Sequence, residues 1–122
     1  MQTPTDDEFD TLVSQALDTL PTQYVAKMTN VAIVYADEPT EQQRQELNLR
    51  GDQTLLGLYQ GVPLPRRNGT TNLLPDKITL FKLPLTAHSQ TMTDLQENVR
   101  HTLWHEMAHY FGLDHKRIHE LE

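Results

Sequence analysis

The feature that most constrains this chain is a run of chemically specific residues near its C-terminus, His105-Glu106-Met107-Ala108-His109-Tyr110-Phe111-Gly112-Leu113-Asp114-His115. In pattern form the run reads H-E-x-x-H-x-x-G-x-x-H. Two histidines four residues apart on an α-helix lie about 40° apart around the axis and one turn apart along it, so their imidazole nitrogens can point at one shared position. The spacing therefore predicts a helix that carries a metal site.

Each residue type in the pattern has a role in metal-assisted hydrolysis. Zinc accepts imidazole nitrogens at roughly 2.0–2.1 Å, which suits His105 and His109. Glu106 lies about 100° around the helix from His105, beside the metal, where it is expected to act as general base toward a zinc-activated water. Gly112 is expected to end the helix and let the chain turn back, so that His115 supplies a third nitrogen. We predict metal ligands at His105, His109 and His115, with Glu106 catalytic.

Several neighbouring side chains have two interpretations. Asp114 is either an alternative oxygen ligand or, as we favour, an acceptor that orients a histidine. His101 lies one turn before the motif and is either a further ligand or, more in keeping with such positions, a residue beside the site. Tyr110 is expected to pack in the core rather than reach a reacting oxygen. His88 and His119 are in polar contexts and are interpreted as surface residues.

The composition limits the kinds of site that this chain can build. There are no cysteines, so a metal must be held by His, Asp or Glu, and disulfides are excluded. The formal net charge is −7, which argues weakly against a nucleic-acid partner. Apolar residues make up 37% and charged residues 22% of the 122 positions. That balance predicts a globular protein, and the length predicts one domain over residues 1–122.

The N-terminal sequence and the hydropathy pattern indicate in which cell compartment we expect the protein. The chain begins with an acidic stretch rather than with basic residues followed by an apolar run, so we expect no export signal. No apolar run approaches the roughly 18 residues of a membrane helix. Together with the lack of cysteine, these features favour a cytoplasmic protein without a membrane partner.

Two helices are predicted, one at each end of the chain. Thr5 and Glu8 have the spacing of a capping box, and apolar residues at helical spacing follow as far as Pro21. Thr93 and Gln96 repeat the capping-box spacing and are expected to begin the motif helix. One side of that helix is apolar and lies roughly opposite the histidine pair. Its residues are Val99, Leu103, Met107, Tyr110 and Phe111.

Three short apolar runs between the helices predict strands, at residues 31–35, 55–61 and 77–83, the last ended by Pro84. Glycines in the second run indicate a bulge or a close approach of the backbone. The remaining expectations are local: a short surface helix or a loop at 40–53, a tight turn at Asn68-Gly69, and a final turn or helix at 116–122. The order of elements predicts an α+β fold with a small sheet of about three strands and a long C-terminal motif helix.

With these segments in order, the sequence resembles the small bacterial zincin-like metallopeptidase family, a group of minimal single-domain relatives of the metzincins. The resemblance extends over nearly the whole chain. The matching segments are Leu20-Pro21 and residues 31–34, 37–39, 56–64, 75–81, 105–112 and 117–121. It implies a minimal zincin-like fold, a zinc ion on the motif helix and peptidase activity, with His105 and His109 as ligands and Glu106 as the base.

The sequence departs from that resemblance after the motif. Family members often carry an acidic residue around the position of His115, so either His115 or Asp114 completes the metal site. Metzincins place a methionine turn after the third histidine, whereas only seven residues follow His115 here and none is Met. We therefore expect a shallow substrate cleft, or one completed by an activating protein partner.

The function expected from these features is zinc-dependent hydrolysis of a peptide or protein substrate, with no nucleic acid bound. An extended substrate would pair with one strand, at residues 55–60 or 78–83. One alternative is a metal-dependent endoribonuclease like the rRNA-maturation family YbeY, which does not keep a Glu after the first His. The residues that match its pattern are His105, His109, Gly112, Asp114 and His115. The other is a non-catalytic, metal-stabilised interaction module.

Overall fold

The computed structural model describes residues 1–62, 75–113 and 116 of the chain. These residues form helices packed on a small mixed sheet, so the predicted α+β class is confirmed. In chain order the elements are α1 (Asp6–Thr19), α2 (Thr22–Val25), β1 (Val31–Ala36), α3 (Glu41–Glu46), β2 (Gly57–Gln60), β3 (Asp76–Phe81), α4 (Lys82–Ala87) and α5 (Met92–Phe111). The turn predicted at Asn68-Gly69 and the final turn predicted at 116–122 lie outside the described residues, apart from Lys116.

The sheet has the strand order β1-β3-β2, with β3 in the middle. Strand β1 runs parallel to β3, with Val31 opposite Asp76, and β2 runs antiparallel to it, with Tyr59 opposite Ile78. The central position of β3 explains its sequence, because a strand with a neighbour on each side and helices packed on it is largely buried. Ile78 and Leu80 are accordingly inaccessible to solvent.

Helix α1 confirms the first capping box. The Thr5 hydroxyl accepts a hydrogen bond from the Glu8 amide at 3.1 Å, and the Thr5 amide donates to Glu8 Oε1 at 2.9 Å. These bonds satisfy two backbone N–H groups that the first helical turn and its cap would otherwise leave without partners. The apolar stripe that follows joins the core between α1, the sheet and α5. Its buried members are Phe9, Leu12, Val13 and Ala16.

The third predicted strand was too long, because Lys82 and Leu83 begin α4 instead. Pro84 is the third residue of that helix, where a missing N–H has no consequence because the first turn has no intrahelical acceptors for it. The Lys82 ammonium lies 2.7 Å from the Asp6 carboxylate at the start of α1 and 3.7 Å from that of Asp37. A tertiary ion pair therefore holds the chain where β3 gives way to α4, and no local pattern contains that contact.

The other differences from the predictions are small. The strand predicted at 55–61 is confined to Gly57–Gln60, and the short helix α2 was not predicted. Of the two alternatives for residues 40–53, the helix is found, as α3. The Thr40 side chain caps it and pairs with Gln43 in another capping box.

Helix α5 begins two residues earlier than predicted. Its N-cap is Thr91 rather than Thr93, and Asp94 replaces Gln96 as the partner in the capping box. The Asp94 carboxylate accepts from the amides of Gln90 and Thr91, at 3.2 and 3.3 Å. A carboxylate interacts more favourably with the positive end of a helix than a neutral amide does, which explains the choice. No helix in the described part of the chain has the length and apolar character that crossing a membrane requires.

Candidate metal centre

Helix α5 presents two chemically different faces, as the sequence predicts. The face directed at α1 and the sheet carries Val99, Leu103, Met107 and Tyr110, all fully buried. Phe111 is only partly buried, and its ring meets that of Tyr24 with centroids 5.1 Å apart. The interior position of Tyr110 confirms that it packs in the core. Its hydroxyl donates to the Thr29 carbonyl at 3.4 Å.

The opposite side of the helix carries the motif residues. His105 is half-buried, His109 is exposed, and their ring centroids lie 4.8 Å apart. Glu106 lies beside them with its Oε1 3.2 Å from His109 Nδ1. One donor atom from each of the three residues falls within 4.8 Å of the other two, so the group could hold a metal ion. Imidazole nitrogens with a carboxylate nearby are donors that zinc accepts, so the residues fit such an ion.

The helix ends at Gly112, as the sequence predicts. Gly112 adopts a left-handed conformation with φ of 69°, and its amide bonds to the His109 carbonyl at 3.1 Å. The Leu113 amide reaches back to the Ala108 carbonyl at 3.0 Å, which closes the helix. His115 and Asp114 lie outside the described residues, as does His119, so the identity of the third ligand stays a prediction.

The remaining histidines of the described chain lie around or away from this cluster. His101 is exposed and lies at the rim of a cavity of about 180 Å³ that borders the motif. The cavity is lined by Leu56, Gly57, His101, Thr102, His105 and Glu106. His88, at the end of α4, is exposed, which agrees with its interpretation as a surface residue.

Glu106 is only 7% exposed although it belongs to the polar side of the helix. Burial raises the pKa of this carboxyl group, and the nearby charge of His105 and a hydrogen bond from the Tyr59 amide lower it in part. That hydrogen bond is 3.0 Å long, from the backbone N–H of Tyr59 to Oε1 of Glu106. A carboxylate with a raised pKa accepts a proton more readily than an ordinary one does, which suits a general base.

Sequence reasoning missed Tyr59 as a neighbour of the site, although it anticipated a close approach by glycine. A Cβ atom on Gly57 would lie 2.7 Å from Cγ2 of Thr102 and 3.2 Å from Cγ of Glu106. Strand β2 can therefore cross α5 closely only where a residue lacks a side chain. The glycine in an otherwise apolar run was the signal for this contact.

Strand β2 also presents its backbone beside the motif. The Phe81 amide donates to the Leu56 carbonyl at 3.0 Å, and hydrogen-bonded pairs alternate along an antiparallel ladder. The N–H and C=O groups of Gly57 and Tyr59 consequently point away from β3, toward the edge of the sheet. Among the described residues, β2 pairs with β3 alone. The motif thus lies next to a sheet edge with outward-pointing backbone groups.

Comparison with known proteins agrees with this geometry. The sequence profile of the zincin-like metallopeptidases matches residues 28–122. A conserved hypothetical protein from Thermus thermophilus has a similar structure, with a TM-score of 0.61 and 19% identity over 88% of this chain and 94% of that one, a likeness of fold alone. No curated protein matches the sequence significantly. The extent of the profile match, which includes the motif helix, shows that this chain belongs to the zincin-like metallopeptidase family.

Proposed function

We propose that this protein is a zinc-dependent peptidase that uses Glu106 as its general base. The observation that carries the proposal is the position of the Glu106 carboxylate. It is buried beside two histidines that can share a metal ion, and its pKa is raised. A carboxylate that only stabilised the helix surface would have no reason to be removed from water, because such burial disfavours its charged form.

The residues divide the chemistry between them. His105 and His109 would hold the ion, and His115, with Asp114 as the alternative, would complete its coordination. When bound, zinc supplies Lewis-acid activation of water and of the substrate carbonyl. Glu106 Oε1 and Oε2 are the atoms that would take a proton from the attacking water and deliver it to the leaving amine. The Tyr59 N–H holds Oε1 from the strand side and limits the rotation of this carboxylate.

The proposed substrate is an extended peptide lying along β2. Of the two strands considered from the sequence, β3 is unsuitable, because it is the central strand and both of its edges are already paired. The Tyr59 N–H already bonds Glu106, but the N–H and C=O of Gly57 are directed at the edge, so β2 can add a peptide strand there by main-chain hydrogen bonding. The cavity of about 180 Å³ beside His105 would take one substrate side chain. The edge and the cavity together favour a peptide or protein over a nucleic acid.

Metal content tests the proposed zinc site. We expect about one zinc per chain in the wild type after purification under metal-limited conditions, and its loss in His109→Ala. His88→Ala is the matched control, since His88 is exposed at the end of α4, away from the motif. Equal zinc in all three proteins would show that the ion is bound elsewhere. An absence of zinc in the wild type would contradict the metal centre itself.

Peptide hydrolysis tests the proposed activity and the role of Glu106 in it. Against a mixture of quenched fluorescent peptides, Glu106→Gln should lower the rate by about 10²–10⁴-fold, because that is the usual contribution of a general base. It should keep its zinc, and the exposed Glu38→Gln should behave as wild type. If zinc removal unfolds the protein and Glu106→Gln changes nothing measurable, the ion is structural and the chain is an interaction module. Cleavage of RNA but not of peptides would favour the endoribonuclease instead.

A further inference from the structure

We propose that Asp76 and Tyr59 are positioning residues for Glu106: the buried Asp76 carboxylate fixes the Tyr59 side chain, and the Tyr59 backbone N–H in turn fixes the Glu106 carboxylate. The catalytic meaning of this arrangement rests on the function proposed above. The hydrogen bonds themselves do not, so they can be tested whether or not peptides are cleaved.

The first step of the argument is the burial of Asp76. Its exposed fraction is 1%, and its carboxylate lies at the start of the central strand β3. A carboxylate removed from water is costly unless hydrogen bonds satisfy it. The Tyr59 hydroxyl donates such a bond to Oδ2 of Asp76 at 2.6 Å, a short distance typical of bonds to a charged acceptor. The Asp76 amide donates to the Asn30 carbonyl at 2.9 Å, which holds the backbone of this residue.

The second step concerns Gly61, which follows β2. Extending the register in which Gln60 faces Lys77 places Gly61 opposite Asp76. A Cβ atom on Gly61 would overlap the Asp76 carboxyl group, so that group occupies the space which a side chain would need. The φ of Gly61 is 150°, a conformation that residues with a side chain rarely adopt. The absent side chain lets Asp76 lean across to Tyr59, its diagonal neighbour on the same face of the sheet.

The third step joins Tyr59 to the site. Its N–H points out of the sheet edge and donates to Glu106 Oε1 at 3.0 Å, across 47 positions of sequence. The ring of Tyr59 also meets that of Tyr110 on α5, with centroids 6.3 Å apart. The strand is therefore held against the helix at both its backbone and its side chain. Without the Asp76 anchor, the end of β2 would be free to shift, and the Glu106 carboxylate would lose a fixed donor.

Tyr59→Phe tests the proposal, because it keeps the ring and removes only the hydroxyl. In amide-resolved NMR spectra of the metal-free protein, we expect the residue 59 amide proton to move upfield, in the direction in which Glu106→Gln also moves it. Tyr35→Phe is the matched control, since it likewise removes one tyrosine hydroxyl that donates a hydrogen bond, here to the backbone carbonyl of Asp6, at the other edge of the sheet. It should leave the residue 59 amide unchanged.

Kinetics add a readout that a purely structural role would not move. Against a peptide that the wild type cleaves, Tyr59→Phe should lower kcat by about tenfold with KM within about twofold, because a displaced base slows the chemical step more than binding. Asp76→Asn keeps an acceptor oxygen for the Tyr59 hydroxyl and should retain more activity than Tyr59→Phe. A residue 59 amide that does not move in Tyr59→Phe overturns the proposal. If that amide moves but no peptide is cleaved by any variant, the positioning contacts stand and the peptidase function fails.

Discussion

The two faces of α5 belong to one helix and yet carry separate properties. Residues such as Leu103 and Met107 are inaccessible to solvent and hold the helix on the core. His105 and His109, on the other face, make no part of that core and are partly exposed. Glu106 lies between the two faces: its side chain is ionisable and yet buried. The difference indicates that stability and metal chemistry can be altered independently here, except where a residue touches both faces.

The largest expected effect is on the core face. Leu103→Ala removes a fully buried side chain and should lower the free energy of unfolding by about 2–5 kcal/mol, through lost burial and the cavity that remains. Urea denaturation in the presence of a chelator measures this. The fraction that remains folded should still bind zinc with wild-type stoichiometry. A loss of zinc affinity in folded Leu103→Ala would mean that the two faces are coupled.

The opposite result is expected on the polar face. His109→Ala changes a side chain that is 43% exposed, so the stability of the metal-free protein should change by less than about 0.5 kcal/mol. Wild type should gain about 2.7 kcal/mol from zinc at 100 times its dissociation constant, and the variant should gain nothing. Thermal unfolding with and without zinc gives both values. An equal gain in the variant would place the ion outside the motif.

Gly57 is the position at which one substitution should alter both stability and the chemistry of the motif. Gly57→Ala forces a Cβ to within 2.7 Å of Thr102 and 3.2 Å of Glu106, so either β2 or those side chains must move. Overpacking of this kind should cost about 1–3 kcal/mol and displace the carboxylate as well, lowering both stability and hydrolysis. Gly51→Ala is the control, since a Cβ there meets nothing within 4 Å. If the two variants had equal stability and equal hydrolysis rates, β2 would be able to move away from α5 without loss of either.

The same comparison explains which features could be predicted from the sequence. The Thr5 cap, the apolar stripe of α5 and the turn at Gly112 depend on residues within a few positions of one another, so local patterns contain them. The change from β3 to α4 at Lys82 is accompanied by an ion pair with Asp6, 76 positions away. The contact between Tyr59 and Glu106 depends on strand order and register, which one sequence does not specify. The motif residues could be predicted because they lie close together in the sequence. The groups that surround them come from distant parts of the chain and could not.

The smallest expected effect tests the intermediate position of Glu106. Because burial raises its pKa, the folded protein binds this proton more tightly than the unfolded chain does. The resulting stability is present below the ordinary carboxyl pKa and is lost as pH rises through the folded pKa, above which the buried ionised group lowers the free energy of unfolding. Glu106→Gln does not titrate and should become more stable relative to wild type as pH rises from the ordinary carboxyl pKa through the raised pKa of the folded protein.

Urea denaturation of both proteins with a chelator present measures this difference. They share every other titrating group, so the change in their difference with pH reports the ionisation of Glu106 together with its coupling to His105 and His109. A difference that shrinks as pH rises would mean that His105 and the Tyr59 amide favour the ionised carboxylate more than burial disfavours it. Glu106 would then belong energetically to the polar face, and its burial would no longer support a role as a poised base.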